Sequence, residues 1–181
     1  MIRSLTLFLV TAALGAVVWA FQDGAEGQMP MPQPGVEHKV LQRSVGTWDS
    51  SMDVMGQVSK GTMTVELGPG GFTTFSRFKG DMMGMPFEGR GVDGYDENKK
   101  KYVSLWTDNM VPYPILLEGD WDEKSQTLTM FGNMPDMSGA LVKHRLVTKW
   151  PNADTMDFEV FAPTPEGKDA SSFKIHYARK K

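Results

Sequence analysis

From Gly46 to the end of the chain, apolar and polar side chains alternate with a period of two. Trp48, Ser50, Met52 and Val54 alternate with Asp49, Ser51 and Asp53, and Met63, Val65 and Leu67 alternate with Thr62, Thr64 and Glu66. Further on, Val142, His144, Leu146 and Thr148 alternate with Lys143, Arg145 and Lys149, with Val147 interrupting the polar side. Met156, Phe158 and Val160 then face away from Asp157 and Glu159, and Phe173, Ile175 and Tyr177 from Ser172, Lys174 and His176. Such alternation marks strands with one buried face. Clusters of turn formers at Gly68–Gly71, Asp96–Asn98, Asp122–Lys124 and Pro151–Asp154 divide the chain into about ten strands, near 47–55, 59–67, 72–80, 87–95, 101–108, 115–121, 127–132, 141–150, 156–162 and 170–179. Short links imply that successive strands pair in order. An open sheet of that size would leave two long unpaired edges, and closure removes them. The predicted fold is all-β, an up-and-down barrel of about ten antiparallel strands.

Ahead of the strands the period changes. Val36, Val40, Leu41 and Val45 recur at helical spacing, Glu37 lies early where the helix dipole favours it, and Gly46 is a natural stop. One short amphipathic helix is expected over 34–46, with His38 on its solvent side. Residues 21–33 have no apolar period and read as a flexible leader. Residues 1–20 are different again: Arg3, an apolar run from Leu5 to Val18, and Val18-Trp19-Ala20 before Phe21. This is the pattern of a cleavable secretion signal. The apolar run is short for a membrane span, which takes about 20 residues. The expected organisation is a signal peptide at 1–20, a leader at 21–33 and a barrel domain at 34–181. The expected destination is the periplasm or the exterior, with membrane contact only through the signal segment before cleavage.

Several local motifs carry a resemblance. A helix followed by Gly46-Thr47-Trp48-Asp49 resembles the Gly-x-Trp signature of the calycin superfamily, in which the Trp lies on the first strand and packs across the barrel floor near a late-strand arginine. Pro34-Gly35-x-Glu37-His38-Lys39, the stretch FKGDMMGMPFEGRG at 78–91, Gly94-Tyr95-Asp96 with Lys99 to Tyr102, and the Ile175-x-Tyr177-x-Arg179 ending widen that likeness. Together they resemble a bacterial family of often exported, lipocalin-like proteins known only as a domain of unknown function. The resemblance covers residues 34–181. It implies a lipocalin-like barrel and no activity.

Composition narrows the chemistry. The chain has 181 residues, no cysteine and a net charge of −3. Absence of cysteine removes disulfides, thiolate metal sites and thiol nucleophiles. Weak acidity argues against nucleic acid, whose phosphates reward a basic face. No Gly-x-Ser-x-Gly elbow occurs, and Gly89-x-Gly91 lacks the strand–turn–helix setting of a nucleotide fingerprint. No catalytic residue, metal site or cofactor is assigned. The expected loop Asp81-Met82-Met83-Gly84-Met85-Pro86 is the most unusual feature, in a chain with 14 methionines. Clustered thioethers suit Cu(I), but methionine also lines adaptable apolar surfaces. His144 shares the inward parity of Val142 and Leu146, where it would serve as a haem ligand or as a buried polar point. Tyr177 and Arg179 share the parity of Ile175, and in fatty-acid-binding barrels such a pair clamps a carboxylate. The candidate ligand-binding residues are therefore His144, Tyr177, Arg179, Met83 and Met85, with Trp48 and Gly46 as structural anchors. The leading expectation is an exported barrel that binds a small apolar or amphipathic molecule. The alternative is a structural or interaction module with a filled barrel, and haem or copper binding ranks below both.

Overall fold

Alternation does produce ten strands, and their register shows how they close. The computed structural model describes residues 31–54, 57–82, 84–136, 138–164 and 167–181. The expected signal at 1–20, most of the leader, and Met83 lie outside the described residues. The chain divides into two units, Met1–Met31 and Pro32–Lys181, and the barrel is the second.

The barrel strands are β1 (Gly46–Val54), β2 (Gln57–Leu67), β3 (Thr73–Met82), β4 (Met85–Asp96), β5 (Lys101–Asp108), β6 (Ile115–Asp122), β7 (Thr127–Pro135), β8 (Leu141–Asn152), β9 (Thr155–Pro163) and β10 (Asp169–Arg179). Each pairs antiparallel with its sequence neighbours, and β1 also pairs with β10, Trp48 opposite Arg179 and Ser50 opposite Tyr177. The closed barrel therefore has no free edge. Its core holds the predicted inward set, with Trp48, Met52, Met63, Val65, Leu146, Val160 and Tyr177 all buried.

Four local expectations are corrected. The helix α1 covers only Val36–Gln42. Arg43 to Val45 form a turn, in which Ser44 N–H donates to the Leu41 carbonyl at 3.1 Å and Val45 N–H to that of Gln42 at 3.1 Å. Gly46 does not stop the helix; it opens β1 at φ +131°, a conformation that side-chain-bearing residues rarely adopt. His38 does not face solvent. It is buried, its Nδ1 accepts the Gly35 N–H at 3.0 Å, and its ring meets Phe72 and Tyr95 edge-on. Met82 and Met85 are not loop residues, because β3 runs to Met82 and β4 starts at Met85 directly opposite it.

Candidate functional site

The two ends of the barrel differ. At the end where β1 begins, Trp48 fills the interior, with Val45, Tyr95 and Trp121 partly buried around it. Trp48 is 0 % exposed, and its indole N–H donates to the Ser44 carbonyl at 2.7 Å. The Arg179 guanidinium lies 4.0 Å from the Trp48 ring centroid. Its Nη1 donates to the Val45 carbonyl at 2.6 Å, Nη2 to that of Arg43 at 3.2 Å, and Nε to that of Ala153 at 2.9 Å. Cation–π contact and carbonyl bonds thus tie the last strand to the first turn. A Cβ on Gly46 would sit 2.4 Å from Arg179 Nη1, so glycine is required there for space as well as for backbone angle.

A second arginine completes the floor. Arg43 lies 5.2 Å from the Trp121 ring centroid and 5.4 Å from that of Trp150. Its Nη1 donates to Gln126 Oε1 at 2.6 Å. Val40 and Leu41 of α1 are buried here, and the Tyr102 hydroxyl donates to the Glu37 carbonyl at 3.2 Å. Burial, with Glu37 nearby, pushes the Tyr102 phenol up to about 12. Burial also raises the Tyr177 phenol, which stays neutral. Tyr177 and Arg179 therefore belong to the floor, where the guanidinium is taken up by Trp48 and three carbonyls.

At the opposite end the inward side chains remain accessible. Phe87, Trp106, Met134, Phe158, Phe173 and Ile175 pack on the core but are only partly buried. Met85 shares the strand parity of Phe87 and is half exposed, so with Met82 it stands at the rim. Trp106 lies flat against β4, where an added Cβ on Gly89 would come within 2.2 Å of its ring. Its indole N–H donates to Asp108 Oδ2 at 2.9 Å. The other Asp108 oxygen accepts the Met110 and Val111 N–H groups at 2.8 and 2.9 Å, anchoring the loop after β5.

Two polar groups punctuate this apolar wall. His144 is 5 % exposed and lies on β8 opposite Gly132. Its Nδ1 is 2.9 Å from the Val142 carbonyl. A carbonyl only accepts, so Nδ1 donates this hydrogen bond, and in the tautomer protonated there Nε2 is an acceptor. Among the described residues no protein group bonds that Nε2, and it is the acceptor the site offers. The second group was not singled out from sequence. Asp93 on β4 faces inward opposite Thr74 and Ser104, and the Thr74 hydroxyl lies 3.5 Å from its Oδ2. Burial raises the Asp93 carboxyl above the ordinary range, while Ser104 and Thr74 hydrogen bonds pull the other way. Parity was the available signal, since Asp93 lies two residues before Tyr95 and two after Gly91. Among the described residues no group of three or more His, Cys, Asp or Glu side chains is placed to hold a metal ion.

Asp93 makes a pH prediction. Its folded-state pKa lies above the unfolded value near 3.9, so folding takes up a proton between the two. Its contribution to stability is fully present below the unfolded value and is lost as pH rises through the folded one. Asp93→Asn removes that loss and should be more stable than the parent at neutral pH. Urea unfolding at a series of pH values reads this as a gap between the two proteins that opens upward from about pH 4. A gap independent of pH would show that the carboxyl is solvated.

Residues 33–179 match a family whose description is a protein of unknown function, DUF1579. The chain belongs to the DUF1579 family. This barrel is thus the fold of a DUF1579 domain, and the match spans all ten strands. None of the curated proteins compared matches it. Among solved structures, an S-type phycobiliprotein lyase from Guillardia theta is similar with a TM-score of 0.51 and 11 % identity, over 80 % of this chain and 93 % of that one. A de novo designed fluorescence-activating β-barrel is similar with a TM-score of 0.43 and 14 % identity, over 78 % of this chain and 97 % of that one. At such identities the lyase shares the fold with this DUF1579 chain and nothing more is carried over.

Proposed function

We propose that this DUF1579 protein is an exported carrier whose barrel lumen takes a small apolar or amphipathic molecule through the end opposite α1. One observation carries the reading: inward-facing aromatic and aliphatic side chains stay partly accessible at that end, whereas at the other end Trp48 and Tyr177 are buried across the interior. An apolar wall with a few convergent polar groups is the usual make-up of a small-molecule site. His144 Nε2 supplies an acceptor for a ligand hydroxyl or amide, and Met82 and Met85 form an adaptable rim.

The test uses the chain without residues 1–20. A hydrophobic fluorescent probe should bind saturably and be displaced by a lipid extract, and Trp106→Ala should change its affinity. Cu(I) and haem should bind no better than to a His144→Ala control. Saturable metal or haem binding that this control loses, without probe binding, would replace the carrier reading. No saturable binding of any probe would favour a filled structural barrel. Export has its own check: the N-terminus of the protein recovered outside the cytoplasm should begin at or near Phe21, and a membrane-bound form retaining Met1 would contradict cleavage.

A further inference from the structure

The outer wall carries a groove of about 440 Å³ across β2 to β5. Two parallel rows of outward side chains form it. One row, strand by strand, is Thr64, Arg77, Arg90 and Thr107, each directly opposite the next. The row beside it, two residues along each strand, is Glu66, Phe75, Val92 and Leu105, and it continues to Leu116 on β6. Phe75, Val92, Leu105 and Leu116 are all exposed, Leu116 at 65 %.

The arginines are the unusual part. Like charges directly opposite each other on a sheet destabilise it. The next rung of the same hairpin face obeys that rule: Lys79 pairs with Glu88 at 2.9 Å. Elsewhere on this wall Lys101 pairs with Asp120 at 2.6 Å, Lys100 with Glu97 at 2.8 Å, and Lys99 with Glu118. Among the described residues of β3 and β4, Arg77 and Arg90 alone of the cations have no carboxylate partner, although Glu66 lines the same groove. Their field reaches Glu88, whose carboxyl Lys79 holds below its ordinary range, with smaller contributions from Arg77 and Arg90.

Arginines directly opposite each other in one groove can bring both guanidinium groups to a single oxyanion. Hydroxyls of Thr64 and Thr107 flank them. The apolar row runs parallel at about 7 Å, two residues along each strand, and is about 14 Å long over three strand spacings. We propose that this groove is a second binding site, taking a single-chain anionic amphiphile whose phosphate or carboxylate head bridges Arg77 and Arg90 and whose chain lies along Phe75, Val92, Leu105 and Leu116. A bound head would neutralise a like-charge rung that has no directly paired carboxylate.

The probe is monododecyl phosphate below its micelle concentration, titrated calorimetrically into the protein without residues 1–20. Binding should be saturable and should weaken at least tenfold in Arg77→Gln/Arg90→Gln. Dodecanol and inorganic phosphate should each bind more weakly than the combined molecule. In the unaltered protein, methyl resonances of Val92, Leu105 and Leu116 should shift on titration, which keeps the proposal testable whatever the variant's stability. Unchanged affinity in the double variant would move the amphiphile to the lumen and overturn this site. Inorganic phosphate binding as well as the amphiphile would remove the apolar row from it. Binding to phosphatidylglycerol vesicles with none to the monomeric probe would make the wall a membrane contact and overturn the proposal as well.

Discussion

Trp48→Ala should destabilise the protein by about 3–5 kcal/mol, the usual cost of truncating a buried aromatic. For a domain of this size, that lowers the melting temperature by roughly 6–20 °C. Three losses coincide. The indole is 0 % exposed, so its removal leaves a cavity at the floor. The Ser44 carbonyl loses its donor. Arg179 loses the ring at 4.0 Å from its guanidinium carbon while its carbonyl bonds still hold it in place. A cation left without its π partner costs more than the missing contact alone, so Trp48→Ala and Arg179→Met should not be additive. Their double variant should be more stable than the sum of the single effects predicts, which a double-mutant cycle in urea measures. A Trp48→Ala protein that melts with the parent would mean that the ring does not fill the floor. Strict additivity would show instead that the guanidinium and the ring act independently.

The barrel itself was legible because strand formation here depends on a period that any reader of the sequence can count. All ten strands fall where alternation and turn residues placed them, and the limits differ by a few residues at most. Floor and mouth were only half legible. Trp48 with its late-strand arginine followed from a resemblance, and the structure places Arg179 over that ring. What failed was parity without partner information. His38 looked solvent-facing on the helix, but barrel closure brings Phe72 and Tyr95 against it. Asp93 was not singled out, because its strand reads Gly89, Gly91, Asp93 on the inward side and offers no apolar signal to set the phase. The arginine pair was invisible for a related reason. Arg77 and Arg90 are thirteen residues apart, and only the register of the β3–β4 hairpin makes them neighbours.

Gly89→Ala is the prediction that ties packing most directly to the proposed lumen. Gly89 is buried on β4 and points inward opposite Asp108, with Gly91 also inward two residues along. The added methyl carbon would meet Trp106 at 2.2 Å from Cζ2 and 2.7 Å from Cη2, closer than atoms tolerate, so the indole has to move. Outward movement is blocked by the strand itself, which leaves the lumen as the direction of travel. That motion pulls Nε1 from Asp108 Oδ2 at 2.9 Å. Overpacking of this kind costs about 1–3 kcal/mol. The displaced ring also occupies the space the proposed ligand would need. Probe affinity should therefore fall at least tenfold, about 1.4 kcal/mol of binding free energy. Trp106→Leu in the same background should restore stability, because the smaller side chain clears the new methyl. Its effect on affinity separates the two roles of the indole. Recovery of binding in Gly89→Ala/Trp106→Leu means that the ring obstructs the lumen only when pushed, while continued loss means that the ligand packs on the indole. A Gly89→Ala protein with parental stability and parental affinity would remove Trp106 from the lumen wall, and with it the main aromatic surface on which the carrier reading rests.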